Sequence, residues 1–146
     1  MLKGIDPLLG PELLAVMAAM GHGDELVIAD ANFPAESVAR GTTHGRALRS
    51  DAGAVPLLGA VLSLLPLDGH EPDPVLTMQV VGDPAAIPPV VAQAAPLVAA
   101  QGHGMASLER FAFYDRARRA FAVVRSGEIR PYGNFILRKG VITRPG

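Results

Sequence analysis

The apolar run over residues 26–29 constrains the fold more than any other feature of the sequence. It shows no alternation of polar and apolar residues, which is typical of a strand buried on both faces. Residues 75–81 are predicted to form a second buried strand. Such strands need helices on both faces of their sheet, so the sequence predicts a layered α/β domain with a mostly buried sheet.

Predicted helices alternate with these strands. Pro11 suits the first helical position and Gly21 a helix stop, so residues 11–20 are predicted to be helical. In residues 85–101, Pro96 is expected to kink or end a helix. The remaining predictions are helices at 56–65 and 111–120, strands at 121–125 and 134–137, and a surface loop or lid at 40–53.

Composition limits the class of protein. The sequence has 49% hydrophobic and 18% charged residues and no linker or repeat, so one domain over residues 1–146 is expected. A net charge of -1 argues against nucleic-acid binding. The longest apolar stretch, residues 54–67, contains two prolines and is too short to span a membrane. The sequence has no cysteine, which excludes thiolate chemistry and favours a cytoplasmic location.

Two polar residues flank the first buried strand. His22 lies between Gly21 and Gly23, and an imidazole can both give and take a proton near neutral pH. Asp30 follows the carboxyl end of the strand, where ligands gather in α/β folds. Two structural alternatives stay open: His22 as part of a helix cap, and Asp30 as the start of an Asx-turn.

Further candidates lie towards the C-terminus. Arg110 directly precedes the helix predicted at 111–120, and Tyr132 and Asn134 flank a glycine before the last strand. In an extended segment, residues i and i+2 point the same way, so the phenol and the amide are expected to face one ligand. They meet Asp30 only if the last strand is antiparallel or if the site crosses between subunits. The alternatives are a solvated arginine and an ordinary turn.

Other kinds of site are less well supported by the sequence. A metal site of His22 with Asp24 or Asp30 stays an alternative, although a site without metal is predicted. The sequence has no G-x-G-x-x-G, P-loop or G-x-S-x-G pattern, which argues against nucleotide binding and serine-hydrolase chemistry.

Two segments carry a family resemblance. The segment GHGDELVIADANFP, residues 21–34, resembles the N-terminal signature of the L-fucose mutarotase and D-ribose pyranase family. The segments ERFAFYDRARRAFAVVRSGE (109–128) and YGNFILRKGV (132–141) resemble its C-terminal signature. Residues 2–24 and 57–68 are also similar to the family. The RFAFY and YGN forms look closer to the fucose mutarotases.

The resemblance implies an isomerase that interconverts the anomers of free L-fucose or a related monosaccharide without metal or cofactor. It also implies a three-layer α/β/α fold and ring-like homo-oligomers, often decamers, with sites near subunit interfaces. His22 corresponds to the family's proton donor, and Tyr132 is expected to share the proton transfer. The implied sugar-binding residues are Asp30, Arg110, Tyr132, Gly133 and Asn134.

Two alternatives to this function remain. One is interconversion of the pyranose and furanose forms of D-ribose by the same chemistry. The other is a sugar-binding accessory protein without catalysis, against which the presence of the whole residue set argues. One departure from the family concerns the sugar: Ser50 and Ala52 stand where the family often has alanine and glycine. If the 40–53 loop lines the pocket, the preferred sugar is expected to differ from fucose.

Overall fold

The structure is a computed structural model that describes residues 1–145. Helices and strands alternate along nearly the whole of this part. The helices are α1 (Pro11–Ala19), α2 (Ala35–Ala39), α3 (Ala54–Leu62), α4 (Pro89–Ala100) and α5 (Arg110–Arg118). The strands are β1 (Glu25–Ala29), β2 (Leu48–Arg49), β3 (Val75–Met78), β4 (Met105–Leu108), β5 (Ala122–Arg125) and β6 (Phe135–Arg138).

All six strands belong to one mixed sheet. Its strand order is β2-β5-β1-β6-β3-β4. β1 pairs in parallel with β5, and β3 in parallel with β4, whereas β6 pairs antiparallel with both β1 and β3. The carboxyl ends of β1, β3 and β4 and the amino end of β6 therefore lie along the same edge of the sheet.

The sheet is covered on both faces, as the uninterrupted apolar run of β1 predicts. Leu26 and Ile28 point into a core shared with α1, α3 and α4. Val27 and Ala29 point into the opposite core, where α2 and α5 pack. These four side chains have no exposed surface. The predicted three-layer α/β/α fold is thus confirmed.

Most predicted elements are present with shifted ends, but three were not anticipated. α2 has only five residues, and β2 has two and interrupts the predicted 40–53 loop. β4 is an edge strand with partly exposed side chains, so its sequence lacks the pattern of a buried strand. Short or half-exposed elements carry little periodicity, which explains why they were missed.

One of the two effects expected of Pro96, the end of the helix, does not occur. α4 does not end there but continues from Pro89 to Ala100 with Pro96 inside it. Proline removes one helical hydrogen bond and crowds the preceding turn. Val91 and Ala94 before the proline and Val98 after it are buried in the core, and this packing holds both halves of the helix in place. Among the described residues, no helix is long and apolar enough to cross a membrane.

Candidate functional site

A polar cleft lies where β6 enters the sheet between β1 and β3. Its volume is about 230 Å³. This is smaller than the roughly 300–1,000 Å³ of pockets for drug-sized ligands, so the cleft suits a smaller polar molecule. The lining residues are Asp30, Asn32, Phe33, Met78, Val81, Arg110, Tyr114, Pro131, Tyr132 and Asn134. We call this region the strand-end cleft.

Asp30 and Asn134 form a buried pair at the base of the cleft. Asn134 accepts a hydrogen bond from the backbone N–H of Asp30 at 2.8 Å and donates one to its carboxylate at 3.2 Å. The antiparallel direction of β6 brings these two residues, 104 positions apart, side by side. The pairing fixes the orientation of both side chains before any ligand arrives.

The environment of Asp30 tunes its protonation. The side chain is buried, and burial raises the pKa of its carboxyl above the ordinary value. The backbone N–H of Asn32 donates to the same carboxylate at 3.0 Å and opposes this rise in pKa. That contact forms the Asx-turn that the sequence left open as an alternative to ligand binding. Asp30 therefore both shapes the turn and lines the cleft.

Tyr132 adopts a backbone conformation that is rare for a residue with a side chain. Its φ is 62°, in the left-handed region, so the expectation of an extended segment is wrong at this residue. Its hydroxyl oxygen accepts a hydrogen bond from the backbone N–H of Val81 at 3.1 Å. The phenolic proton remains available to a ligand. Tyr132 and Asn134 still line one cleft, but through a turn rather than a strand.

The turn that carries Tyr132 is tightly packed. A Cβ atom added to Gly133 would lie 2.9 Å from Cγ of Glu128. Glu128 is itself buried and accepts hydrogen bonds from the Arg130 guanidinium at 3.0 Å, which lowers the pKa of this carboxyl. It also accepts from the backbone N–H of Ala54 at 3.3 Å. Glu128 thereby anchors the turn to the start of α3.

Arg110 supplies a positive charge to the cleft from the start of α5. The helix begins there because the Glu109 carboxylate accepts hydrogen bonds from the backbone N–H groups of Phe111 and Ala112. The guanidinium lies over the Phe111 ring, 4.6 Å from its centroid. Within residues 1–145, Nε of Arg110 is the one buried side-chain nitrogen or oxygen without a hydrogen-bond partner. An oxygen-rich ligand in the cleft would provide the acceptor that this donor lacks.

His22 lies at the opposite edge of the sheet. β1, with five residues, separates it from Asp30, and at the usual rise of a strand this is about 16 Å. His22 follows α1, and its loop is held by a hydrogen bond from Gly23 N–H to the Lys139 carbonyl at 2.8 Å. One chain therefore does not bring His22 to the strand-end cleft.

The partners of His22 are Asp68 and His70, which sequence analysis did not identify. Nε2 of His22 lies 3.2 Å from Oδ1 of Asp68, and Nδ1 of His70 lies at the same distance from that oxygen. Asp68 is buried, whereas His22 is about half exposed. A hydrogen bond from the backbone N–H of His70 lowers the pKa of Asp68 and keeps it ionised. With Nε2–H directed at this carboxylate, Nδ1 of His22 is free for proton transfer.

The other residues considered from the sequence have structural roles. The carboxylate of Asp24 accepts a hydrogen bond from the backbone N–H of Gly21 at 2.7 Å, and Asp30 lies across the sheet. Asp30 therefore lies too far from His22 to share a metal ion with it in one chain, and Asp24 is not part of the group of three possible metal ligands within residues 1–145. His44 pairs with Glu12 at 2.9 Å, outside the strand-end cleft. The 40–53 loop contributes no residue to this cleft within one chain.

No signal in the sequence pointed to Asp68 or Glu128. Asp68 ends the segment LLPLD after an apolar helix, and it resembles any solvated loop residue. Its role depends on a contact with a residue 46 positions away. Glu128 likewise reads as part of a Ser-Gly turn, although it is 6% exposed.

The fold and the cleft define an α/β protein with a polar cleft at the ends of its strands. The model of the RbsD/FucU transport protein family matches residues 3–142. The chain is 46% identical to the fucose mutarotase of Homo sapiens, over 97% of this chain and 94% of that protein. The chain belongs to the RbsD/FucU family.

Solved structures agree with this assignment. The fucose mutarotase from Streptococcus pneumoniae, solved in complex with L-fucose, superposes with a TM-score of 0.87 at 37% identity, over 97% of this chain and all of that one (100%). FucU from Bifidobacterium longum superposes with a TM-score of 0.87 at 41% identity, with the same coverage of 97% and 100%. The resemblance found in the sequence signatures is confirmed.

Proposed function

We propose that the chain forms a single domain over residues 1–146 and interconverts the α and β anomers of L-fucose or a related monosaccharide without a cofactor. The observation that carries the proposal is the strand-end cleft, where a buried carboxylate–amide pair faces an arginine with an unsatisfied donor. Support also comes from the family, in which proteins named fucose mutarotase match nearly the whole chain. A cytoplasmic location stays a prediction.

The cleft residues bind the sugar by matching its hydroxyl groups. The Asp30 carboxylate accepts hydrogen bonds from hydroxyl protons, and the Arg110 guanidinium donates to hydroxyl oxygens. Asn134 holds Asp30 in place through their paired hydrogen bonds. Tyr132 presents its phenolic proton, and Gly133 lets the turn approach closely. These contacts are polar and directional, as monosaccharide binding requires.

His22 reaches this sugar from a second copy of the chain. Its distance from the cleft within one chain rules out direct contact with the same sugar. A homo-oligomer that places the His22 edge of one copy against the cleft of the next builds a complete site at each interface. We therefore expect no activity from an isolated monomer. A decameric ring is one closed arrangement that satisfies this requirement.

Anomer exchange then requires only proton transfers. His22, as the imidazolium, donates the proton on Nδ1 to the ring oxygen as the C1–O5 bond breaks. The proton of the C1 hydroxyl passes to the Tyr132 oxygen while the phenolic proton of Tyr132 moves on to water. The open aldehyde rotates about C1–C2 and recloses on its other face, and both protons return. Asp68 acts as a positioning residue, because its carboxylate holds Nε2–H and stabilises the imidazolium form.

The test is anomeric exchange measured by proton NMR on purified protein with EDTA present. L-fucose is measured first, followed by D-ribose, L-rhamnose and D-galactose, each against buffer alone. We expect faster exchange of L-fucose, and its loss in His22→Ala. Acceleration of D-ribose alone would favour pyranose–furanose interconversion. Saturable sugar binding without acceleration of any sugar would leave a sugar-binding accessory protein and refute the enzymatic proposal.

A further inference from the structure

The strongest feature outside the strand-end cleft is the arrangement of His22, Asp68 and His70, which we call the two-histidine cluster. One nitrogen from each imidazole and one carboxylate oxygen all lie within 4.8 Å of one another. Within residues 1–145 this is the one group of three or more histidine and acidic side chains with such spacing. A hydrogen bond to Asp68 would account for either imidazole alone. Here both imidazoles contact the same carboxylate oxygen, Oδ1.

The geometry points to a zinc-binding site that suppresses the activity of His22. Zinc binds imidazole nitrogen and carboxylate oxygen at about 2.0–2.2 Å, so tetrahedral ligand atoms lie roughly 3.3–3.5 Å apart. Both nitrogen–oxygen distances in the cluster are 3.2 Å. The two imidazole nitrogens lie within 4.8 Å of one another, so they must move closer by at most about 1.5 Å for one ion to contact all three ligand atoms. The ring centroids of His22 and His70 are 5.3 Å apart, so the two rings already lie side by side around the position that the ion would take.

The chemistry of the three ligands selects the class of ion. Two imidazoles and one carboxylate suit zinc and the neighbouring late transition metals, whereas magnesium and calcium prefer oxygen ligands. In the single chain the side chain of His70 is 72% exposed and that of His22 46%, so both imidazoles are accessible to an ion before a second copy packs against them. Three protein ligands leave the fourth position to water, as in open zinc sites.

The loops that carry these ligands are held in a fixed relation. Asp68 N–H donates to the Arg138 carbonyl at 3.0 Å, and Gly23 N–H donates to the Lys139 carbonyl at 2.8 Å. Both loops are thus fastened to consecutive residues at the end of β6. This common support reduces the reorganisation needed when a metal binds.

Zinc would suppress activity because a metal bound to one nitrogen of an imidazole fixes the proton on the other. The inhibitory role rests on the proposed function of His22. A metal on Nε2 of His22 leaves the proton of the neutral ring on Nδ1. Nδ1 can then no longer accept a proton, so the acid and base forms cannot alternate. The metal also removes Nε2–H from Asp68. Zinc in this site is therefore an inhibitor rather than a cofactor.

The test measures metal binding directly and activity separately. Full-length protein freed of metal with a chelator is titrated with Zn²⁺ by calorimetry, and with Co²⁺ by visible absorption. The key variant is His70→Ala, which removes one ligand and leaves His22 and Asp68 in place. His103→Ala is the matched control, because His103 is a histidine outside the cluster. Anomeric exchange of L-fucose is measured with Zn²⁺ and again after EDTA.

We expect one zinc ion per chain, with affinity reduced at least about tenfold in His70→Ala and unchanged in His103→Ala. Zinc should stop exchange in the wild type and EDTA should restore it, whereas His70→Ala should exchange normally and resist zinc. Equal zinc affinity in the wild type and His70→Ala, or no saturable binding by the wild type, would overturn the site. Normal exchange with zinc bound through His70 would overturn the inhibitory role. Zinc binding through His70 without any sugar exchange would leave the site standing and refute the mutarotase proposal.

Discussion

The two edges of the sheet differ in how completely their functional groups are satisfied. At the strand-end cleft, Asp30 and Asn134 are buried and joined by two hydrogen bonds. At the other edge, His22 is half exposed and has its hydrogen bond to Asp68 on one ring nitrogen, so the second nitrogen is free. The two surfaces lie too far apart to contact one sugar within a single chain, so the proposed mechanism requires a second copy of the chain.

Removal of the imidazole at the open edge should have the largest effect. Loss of a general acid–base group lowers rates by about 100- to 10,000-fold, so His22→Ala should nearly abolish L-fucose exchange. The half-exposed side chain lies outside both cores, so thermal stability should stay the same. NMR exchange and calorimetric unfolding check the two expectations. An exchange rate equal to that of the wild type would remove His22 from the mechanism.

The second prediction concerns the unsatisfied donor of the cleft. Arg110→Ala removes charge-assisted hydrogen bonds to sugar worth about 1.5–3 kcal/mol, which is roughly a 10- to 150-fold loss in kcat/KM. The free energy of unfolding should change little, since Nε of Arg110 has no hydrogen-bond partner to lose and Phe111, over which the guanidinium lies, is exposed. Arg118→Ala is the matched control, because Arg118 pairs with Asp115 on the exposed side of the same helix. Equal losses in the two variants would exclude a sugar contact for Arg110.

A third prediction tests whether the cleft is held rigidly by its turn. Gly133→Ala places a methyl group 2.9 Å from Cγ of buried Glu128, and such overpacking costs about 1–3 kcal/mol in the free energy of unfolding. Gly69→Ala is the control, because nothing lies within 4 Å of the added atom. Its effect should stay within about 0.5 kcal/mol. Urea unfolding of both variants measures the difference, and equal stabilities would contradict tight packing of the turn.

The smallest effect concerns the protonation of Asp30. Burial raises the pKa of its carboxyl, so the folded chain holds this proton more tightly than the unfolded chain. At a pH below the ordinary pKa of aspartate, protonated Asp30 therefore contributes to the free energy of unfolding. This contribution is lost as the pH rises through the raised pKa of the folded chain. Sugar affinity should fall as the pH drops through the same value. Carbon-13 NMR of the carboxyl groups, with Asp30→Asn to assign the signal, measures the pKa; a value at or below the ordinary one would contradict the account.

Sequence patterns predicted much of the fold because burial leaves a direct trace in them. The apolar run of β1 predicts a sheet that is covered on both faces, and the structure has one. Asp30 lies at the carboxyl end of that strand, as predicted. The sequence did not predict the direction of β6, because strand direction is set by tertiary pairing. An antiparallel β6 was only one of the two conditions under which Tyr132 and Asn134 could meet Asp30. Pro96 does not end its helix, which was one of its two expected effects, because core packing on both sides of the proline outweighs its local preference.

The sites were harder to predict than the fold. Four of the residues that line the cleft were predicted, namely Asp30, Arg110, Tyr132 and Asn134. Their partners were not predicted, since Asn134 meets Asp30 only through the pairing of β6 with β1. The placement of His22 on the other edge follows from its position before β1 rather than after it. Asp68 and His70 left no trace in the sequence, because their role depends on long-range contacts in three dimensions.

The most direct test of the account mixes two variants that are each impaired in a different half of the site. His22→Ala chains keep an intact cleft, and Arg110→Ala chains keep an intact His22. If each site combines the cleft of one chain with the His22 of another, mixed oligomers formed by co-expression should recover about a quarter of wild-type exchange. Random assembly of equal amounts of the two chains places an intact cleft against an intact His22 in that fraction of the interfaces. Exchange no faster than that of the separate variants, in oligomers shown to contain both chains, would contradict a site shared between copies.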